Sequence, residues 1–171
     1  SDGTVVYVSS AIEAVMGYRP EEVIGQPFIT FIHEDDRETL IVDFDAIFAG
    51  TLYPSEYRLR RKSGAIAWVR SSSRPVLDRN GKPVALQGTL MEITQRKLAE
   101  QALQTVIERY GRHHPRIARF RRVLGRVQYA QGAFAEAWEQ LILEHGALRD
   151  RFGDQHPLCI RNLVHLAEVM G

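Results

Sequence analysis

The sequence predicts two architectures in succession: an α+β domain with an antiparallel sheet and its helices on one face, then an all-α region of helical hairpins. Three observations carry this. The apolar pattern switches from helical spacing to period two near residue 53 and returns to helical spacing near residue 97. Prolines and glycines punctuate the first part, whereas the second reads as helices separated by single breaks. Finally, "RYGRHHP" (Arg109 to Pro115) returns as "RFGDQHP" (Arg151 to Pro157), 42 positions later.

The elements follow in order. "DGTVVYVSS" opens on a turn pair and continues as a β-branched, aromatic run, so it reads as a strand. Ser9 or Ser10 is placed to cap "AIEAVMGY", and Gly17 to end it. In "RPEEVIGQPF", Pro20 suits a first helical turn, Glu21 and Glu22 favour the positive helix N-terminus, and Gly25 is the stop. "HEDDRETLIVDFDAIFAG" supplies acidic caps, an apolar face of Leu40, Phe44, Ile47 and Phe48, and Gly50 as its end. Three strand-like runs then occupy residues 53–94, joined by the turns "KSG" and "DRNGK". Tyr57, Leu59, Ile66, Trp68, Val76, Leu86 and Leu90 are the residues expected on their buried face.

"VVYVSSAIEAVMGYRPEEVIGQPFITFIHEDD", followed by "EYRLRRKSGAIAWV" and "GTLMEITQRK", strongly resembles a PAS domain of the bacterial sensory type, placed at residues 1–96. The resemblance implies a five-stranded antiparallel sheet holding a small cavity against its helices, and a sensory or interaction role. The family's central strand precedes the "DG" turn and is absent from this sequence. A buried gap there would strand backbone donors and acceptors, so the slot is expected to be filled in trans by symmetric exchange or to stand empty. Glu92-Ile93-Thr94 stands where the family has Asp-Ile-Thr. Residues 1–97 hold no cysteine, which excludes the flavin-adduct chemistry of light-sensing relatives.

Candidate residues follow from these elements. Phe28, Phe31, Phe44, Phe48, Tyr57, Trp68 and Leu90 either line a pocket for a small apolar ligand or simply fill the core of a small domain. Arg70, Glu92, Thr94 and Leu103 are the signal-output candidates, with a charge-assisted contact expected between Glu92 and a nearby arginine, Arg70 being the best placed. His33, the single histidine of this part, is expected to cap a loop and not to ligate haem; the identity of any cofactor is open.

In residues 97–171 the repeat aligns Arg109 with Arg151, Gly111 with Gly153, His114 with His156 and Pro115 with Pro157. Each Gly is placed to end one helix and each Pro to begin the next. Gly132 breaks the stretch between into a hairpin, with Gly125 and Ala137 where helices can approach closely. The pattern resembles a tetratricopeptide repeat of the kinesin-light-chain type, which implies a protein-binding array. Projected backwards by one period, "EQALQTVIERYG" fills a second-helix slot, so a helix over 97–110 serves both parts. Arg116, Arg119, Arg122 and Arg126 recur at helical spacing, as a solvated face or as a docking stripe for an acidic partner.

Composition narrows the function further. The first 97 residues carry 12 Lys/Arg against 13 Asp/Glu, the remainder 10 against 8 with five of the six histidines. A net charge of +1 gives no drive toward nucleic acid or membrane. No apolar run approaches the roughly 18 residues of a membrane span, and the N-terminus does not read as a signal peptide. The single Cys159 fits a reducing compartment, so the cytoplasm is the expected location. No phosphate loop, nucleophile elbow, paired carboxylates or metal-ligand cluster stands out, so neither a catalytic residue nor a metal ligand is assigned. The expectation is a non-enzymatic signalling module that binds a protein partner or forms a homodimer. The alternatives are a ligand-free scaffold, or the regulatory fragment of a kinase or cyclase.

Overall fold

The computed structural model describes residues 3–48, 54–112, 114 and 116–170, with the side chains of Phe44, Asp45, Phe48 and Met170 left outside that description. It divides into two compact units, Ser1–Thr94 and Gln95–Gly171.

The first unit runs α1 (Ala11–Met16), α2 (Pro20–Val23), two 3₁₀ turns (Phe28–Phe31 and Glu34–Asp36), α3 (Arg37–Phe48), then β1 (Ser55–Arg60), β2 (Ile66–Leu77) and β3 (Pro83–Glu92). The expected short helices form where their punctuation put them. Ser10 sits at the N-cap of α1 without a side-chain cap bond, and Pro20 opens α2. Among the described residues the sheet has three antiparallel strands in the order β1-β2-β3, not the five that the resemblance implies. The "TVVYV" segment was expected as a strand and makes only an isolated bridge, Thr4 to Pro27. Its N–H and C=O groups at Val5 bond the Gln26 carbonyl and the Gly25 amide at 2.9 and 2.8 Å, so it pairs with the loop after α2 and not with the sheet.

The buried face of β2 also differs from expectation. Ala67 and Val69 are fully enclosed and Ser71 nearly so, while Ile66 and Val76 are exposed and Trp68 is half-buried. The register explains it: Leu59 faces Ala67 and Tyr57 faces Val69, so these four share the core face. A period of two means that choosing the bulkier neighbours, Ile66 and Trp68, selects the opposite face. The core itself gathers Ile12, Met16, Val23, Phe31, Ile32, Leu40, Tyr57, Leu59 and Val69.

The free edge of β1 is covered by the segment before α3. His33 donates its amide to the Arg58 carbonyl at 3.0 Å, and Asp36 accepts from the Arg58 amide at 2.8 Å. The Arg58 guanidinium adds bonds of 3.0 and 2.6 Å to the same carboxylate. Those bonds hold the Asp36 carboxyl below its ordinary range. On the outer face the same guanidinium lies 5.6 Å from the Trp68 ring centre. Asp36, one of the acidic residues directly before α3, thus also clasps an edge strand.

The second unit holds α4 (Thr94–Tyr110, whose first residue belongs to the first unit), α5 (Arg116–Ala130), α6 (Phe134–Phe152) and α7 (Pro157–Met170). α5 and α6 form an antiparallel hairpin whose closest approach is at Gly125, where an added Cβ would sit 3.3 Å from the Ala137 carbonyl oxygen. The two similar turns share their bonding. Gly111 and Gly153 both take φ 81° and donate to the residue four back at 2.8 Å. His114 packs tilted on Tyr110 at 4.7 Å, and His156 stacks on Phe152 at 4.5 Å. Each imidazole Nδ1 accepts the amide two residues on, at 3.2 Å.

Candidate functional site

The antiparallel register lays the core face of the sheet out in rows. One row is Ser55, Ser71 and Leu90; the next toward α4 is Tyr57, Val69 and Glu92. In the other direction Ser73 stands opposite Gly88. Gly88 has to be glycine, since a Cβ there would lie 2.4 Å from the Ser72 carbonyl oxygen. The floor at this end is therefore built of small residues, Ser55, Ser71, Ser73 and Gly88. An open depression of about 440 Å³ lies at this end of the strands, edged by Pro54, by Ser73 and Gly88 of the core face and by Ser72, Arg74, Gln87 and Thr89 of the outer face.

Three buried hydroxyls, those of Tyr57, Ser71 and Ser55, sit in this corner. The Tyr57 hydroxyl is hydrogen-bonded to Ser71, and burial pushes its phenol up to about 12 against that bond. Ser55 Oγ is buried with no hydrogen-bond partner among the described residues. An unsatisfied buried hydroxyl is costly, and a small ligand or water carrying one polar group would relieve it. Apolar walls come from Phe28, whose ring meets Tyr57 edge-on at 6.3 Å, and from Leu90.

The aromatic candidates divide accordingly. Phe28, Phe31, Tyr57 and Leu90 share one core, Phe31 packing edge-on to Tyr18 at 5.3 Å. Trp68 faces the other side of the sheet. The side chains of Phe44 and Phe48 lie outside the described residues. The serine floor was missed; a run of "SSS" beside a glycine-bearing strand is its only trace in the sequence.

At the other end of the same strands lies the junction with α4. Glu92 meets a nearby arginine, but the register sets it opposite Val69, whereas Arg70 stands opposite Met91 on the other face. The carboxylate is instead bonded by the Arg61 guanidinium, which also donates to the Val15 carbonyl. Thr94 Oγ1 accepts the Trp68 amide at 3.0 Å, and the Ile93 amide donates to the Trp68 carbonyl at 2.8 Å. Leu103 is buried among Ile117, Leu124 and their neighbours.

The basic stripe does not remain a stripe. Arg122 donates to the fully buried Glu144 at 2.7 and 2.5 Å, and Asn162 completes that carboxylate at 2.9 Å, joining α5, α6 and α7. Arg116 lies over the Tyr110 ring at 5.6 Å. Arg119 and Arg126 are exposed. His33 Nδ1 accepts the Asp35 amide at 3.3 Å, a loop-capping geometry. No helix among the described residues is long and apolar enough to cross a membrane.

Comparison with known proteins places this geometry. The model of the PAS fold family matches residues 5–90, half of the chain. Over 94 residues the chain is 32% identical to a blue-light-activated histidine kinase of Brucella anthropi, an alignment covering 54% of this chain and 18% of that protein. Most of that relative's length therefore has no counterpart here. A solved sensory box histidine kinase/response regulator from Burkholderia thailandensis superposes with a TM-score of 0.52 at 30% identity, covering 60% of this chain and 79% of that one. The PAS domain of a Colwellia psychrerythraea protein gives 0.51 at 27% identity, covering 54% and 79%. With helices on one face of an antiparallel sheet and a family match from residue 5 to residue 90, the chain belongs to the PAS fold family.

Proposed function

We propose that this chain is a non-enzymatic, cytoplasmic signalling module in which the PAS unit senses a small, mainly apolar molecule with one hydrogen-bonding group. The serine floor is its binding site, with Ser55 and Ser71 meeting the polar group and Phe28 and Leu90 the apolar body. A single observation carries the reading: β3 bears Leu90 as a wall beside that floor and, two residues on, Glu92 in the Arg61 clasp directly before α4. Occupancy shifts the balance between two settings of the strand end, and α4 inherits the change. The helical unit serves as a tetratricopeptide-like protein-binding region, a reading supported by the matching turns at Gly111 and Gly153.

The test is a thermal shift of the whole chain with 1-hexanol as probe. The reading predicts a dose-dependent rise in Tm that Ser71→Leu, which fills the floor, abolishes. A shift that persists in Ser71→Leu, or none at saturation, overturns the assignment of the floor.

A second reading makes the chain the regulatory segment of a larger signalling kinase. It is favoured by the histidine kinase relatives matched at 30% and 32% identity.

A further inference from the structure

The turn that links α4 to α5 carries positive charge that the described residues do not neutralise. From Arg109 to Ala130 the chain holds seven arginines and no Asp or Glu. Among the described residues only Arg122 of these forms an ion pair, with the buried Glu144. The nearest acid in sequence, Glu108, accepts from the side-chain amide of Gln104 at 2.8 Å. Glu139 of α6 attracts Arg121, yet burial and then the charge of Arg112 hold that guanidinium below its ordinary range.

Two of the guanidiniums are held in place. Those of Arg109 and Arg116 lie over the Tyr110 ring, their Cζ atoms 5.5 and 5.6 Å from its centre. A contact of this kind orders a guanidinium and leaves its N–H donors available. The second turn shows that the backbone does not require this charge. It repeats the bonds at Gly153 and His156 with Asp154 in place of Arg112, Leu158 in place of Arg116 and Phe152 in place of Tyr110. All three differences run one way: the first turn has two more cations, one more phenol donor and one acid fewer.

We propose that the α4–α5 turn binds the phosphate monoester of a phosphorylated side chain on a partner protein, between the guanidiniums of Arg109 and Arg116 and beside Arg112. At neutral pH such a group carries a charge of about −2 and three acceptor oxygens. That suits two arginine forks better than the single charge of a carboxylate or a phosphodiester does. Arg109, Tyr110 and Arg116 are all exposed, so the phosphate arrives on a larger molecule and is not enclosed. The segment around it has a track to follow. Arg116, Arg119, Val123 and Arg126 recur at steps of three and four, all exposed, so acidic neighbours of the phosphate meet arginines along α5. This rests on reading the helical unit as a protein-binding region.

Fluorescence anisotropy of the whole chain with two labelled heptapeptides tests this: phosphoserine between two runs of aspartate, and the same peptide with serine. The phosphopeptide should bind roughly tenfold or more tightly, as charge-assisted hydrogen bonds to the phosphate imply. Arg112→Asp with Arg116→Leu imports the residues of the second turn and should bring the two peptides to equal affinity with circular dichroism unchanged. Arg109→Gln replaces that pair if it does not fold. Equal binding of both peptides by the unaltered chain overturns the phosphate site and leaves the helical unit a protein-binding region. Binding of neither at about 1 mM overturns both readings, since that concentration would populate any site of useful affinity. A preference that survives the substitutions also overturns the site. So does a short single-stranded oligonucleotide that displaces the phosphopeptide, which would assign these arginines to nucleic acid.

Discussion

Arg61 binds Glu92 and the carbonyl of Val15 with the two ends of one guanidinium, tying the end of β3 to α1 directly before α4 begins. The bond is charge-assisted, and both side chains are about one-quarter to one-third exposed. Solvent screening reduces its worth accordingly. Arg61→Ala should cost about 1 kcal/mol in urea unfolding. It should also loosen the start of α4, read as faster amide exchange at Thr94 to Lys97. Unchanged exchange would reduce Arg61 to a surface contact.

Asp36 offers a pH-dependent test. Its carboxyl is held below the ordinary range chiefly by hydrogen bonding to Arg58, opposed by burial. A depressed folded-state pKa contributes stability that is complete above the unfolded value near 3.8 and lost as pH falls through the folded one. Asp36→Asn should therefore destabilise at neutral pH by about 2 kcal/mol and flatten the acid limb of stability below about pH 4. Equal loss at pH 3 and pH 7 would show that the charge is immaterial.

Tyr57 works in the opposite sense. Burial raises its phenol to about 12, so the folded state keeps a proton that the unfolded chain releases near 10. The contribution is intact below about pH 10 and disappears between there and about pH 12. Ultraviolet titration of the folded chain should show one tyrosine fewer ionising near pH 10 in wild type than after denaturation, and Tyr57→Phe should remove that difference.

The Glu144 cluster tests the repeat. Its carboxylate is fully buried between Arg122 and Asn162, and Glu144→Ala strands both partners, for a cost of about 3 kcal/mol or more. One repeat earlier, Ala102 and Phe120 occupy the places of Glu144 and Asn162. The pair Glu144→Ala with Asn162→Phe imports that apolar solution and should recover most of the loss, because Arg122 is one-quarter exposed and can turn to water. No recovery would mean that the two junctions pack differently.

Much of this was legible in the sequence for local reasons. Turns requiring positive φ announced themselves through glycine, as at Gly111 and Gly153, and the period-two runs announced three strands. What stayed hidden depended on pairing between distant segments. The parity of β2 could not be read from "IAWV", which is apolar on both faces; only its register with Tyr57 and Leu59 decides. The partner of Glu92 was hidden for the same reason, since Arg61 lies 31 residues away. Arg122 read as part of a stripe because nothing local shows that a carboxylate 22 residues on is buried beneath it. The serine floor leaves only the "SSS" run as a trace, because it exists only where three strands bring small residues into register.

In the proposed function the serine floor and the start of α4 respond to one another through β3. The most direct measurement compares ¹⁵N–¹H spectra of the whole chain with those of Ser71→Leu, which loads the floor permanently. Amide shifts are expected not only at Ser55, Tyr57 and Leu90 but also at Glu92 and along Thr94 to Leu98. Shifts confined to the floor, with Glu92 and the first turn of α4 unmoved, would contradict it.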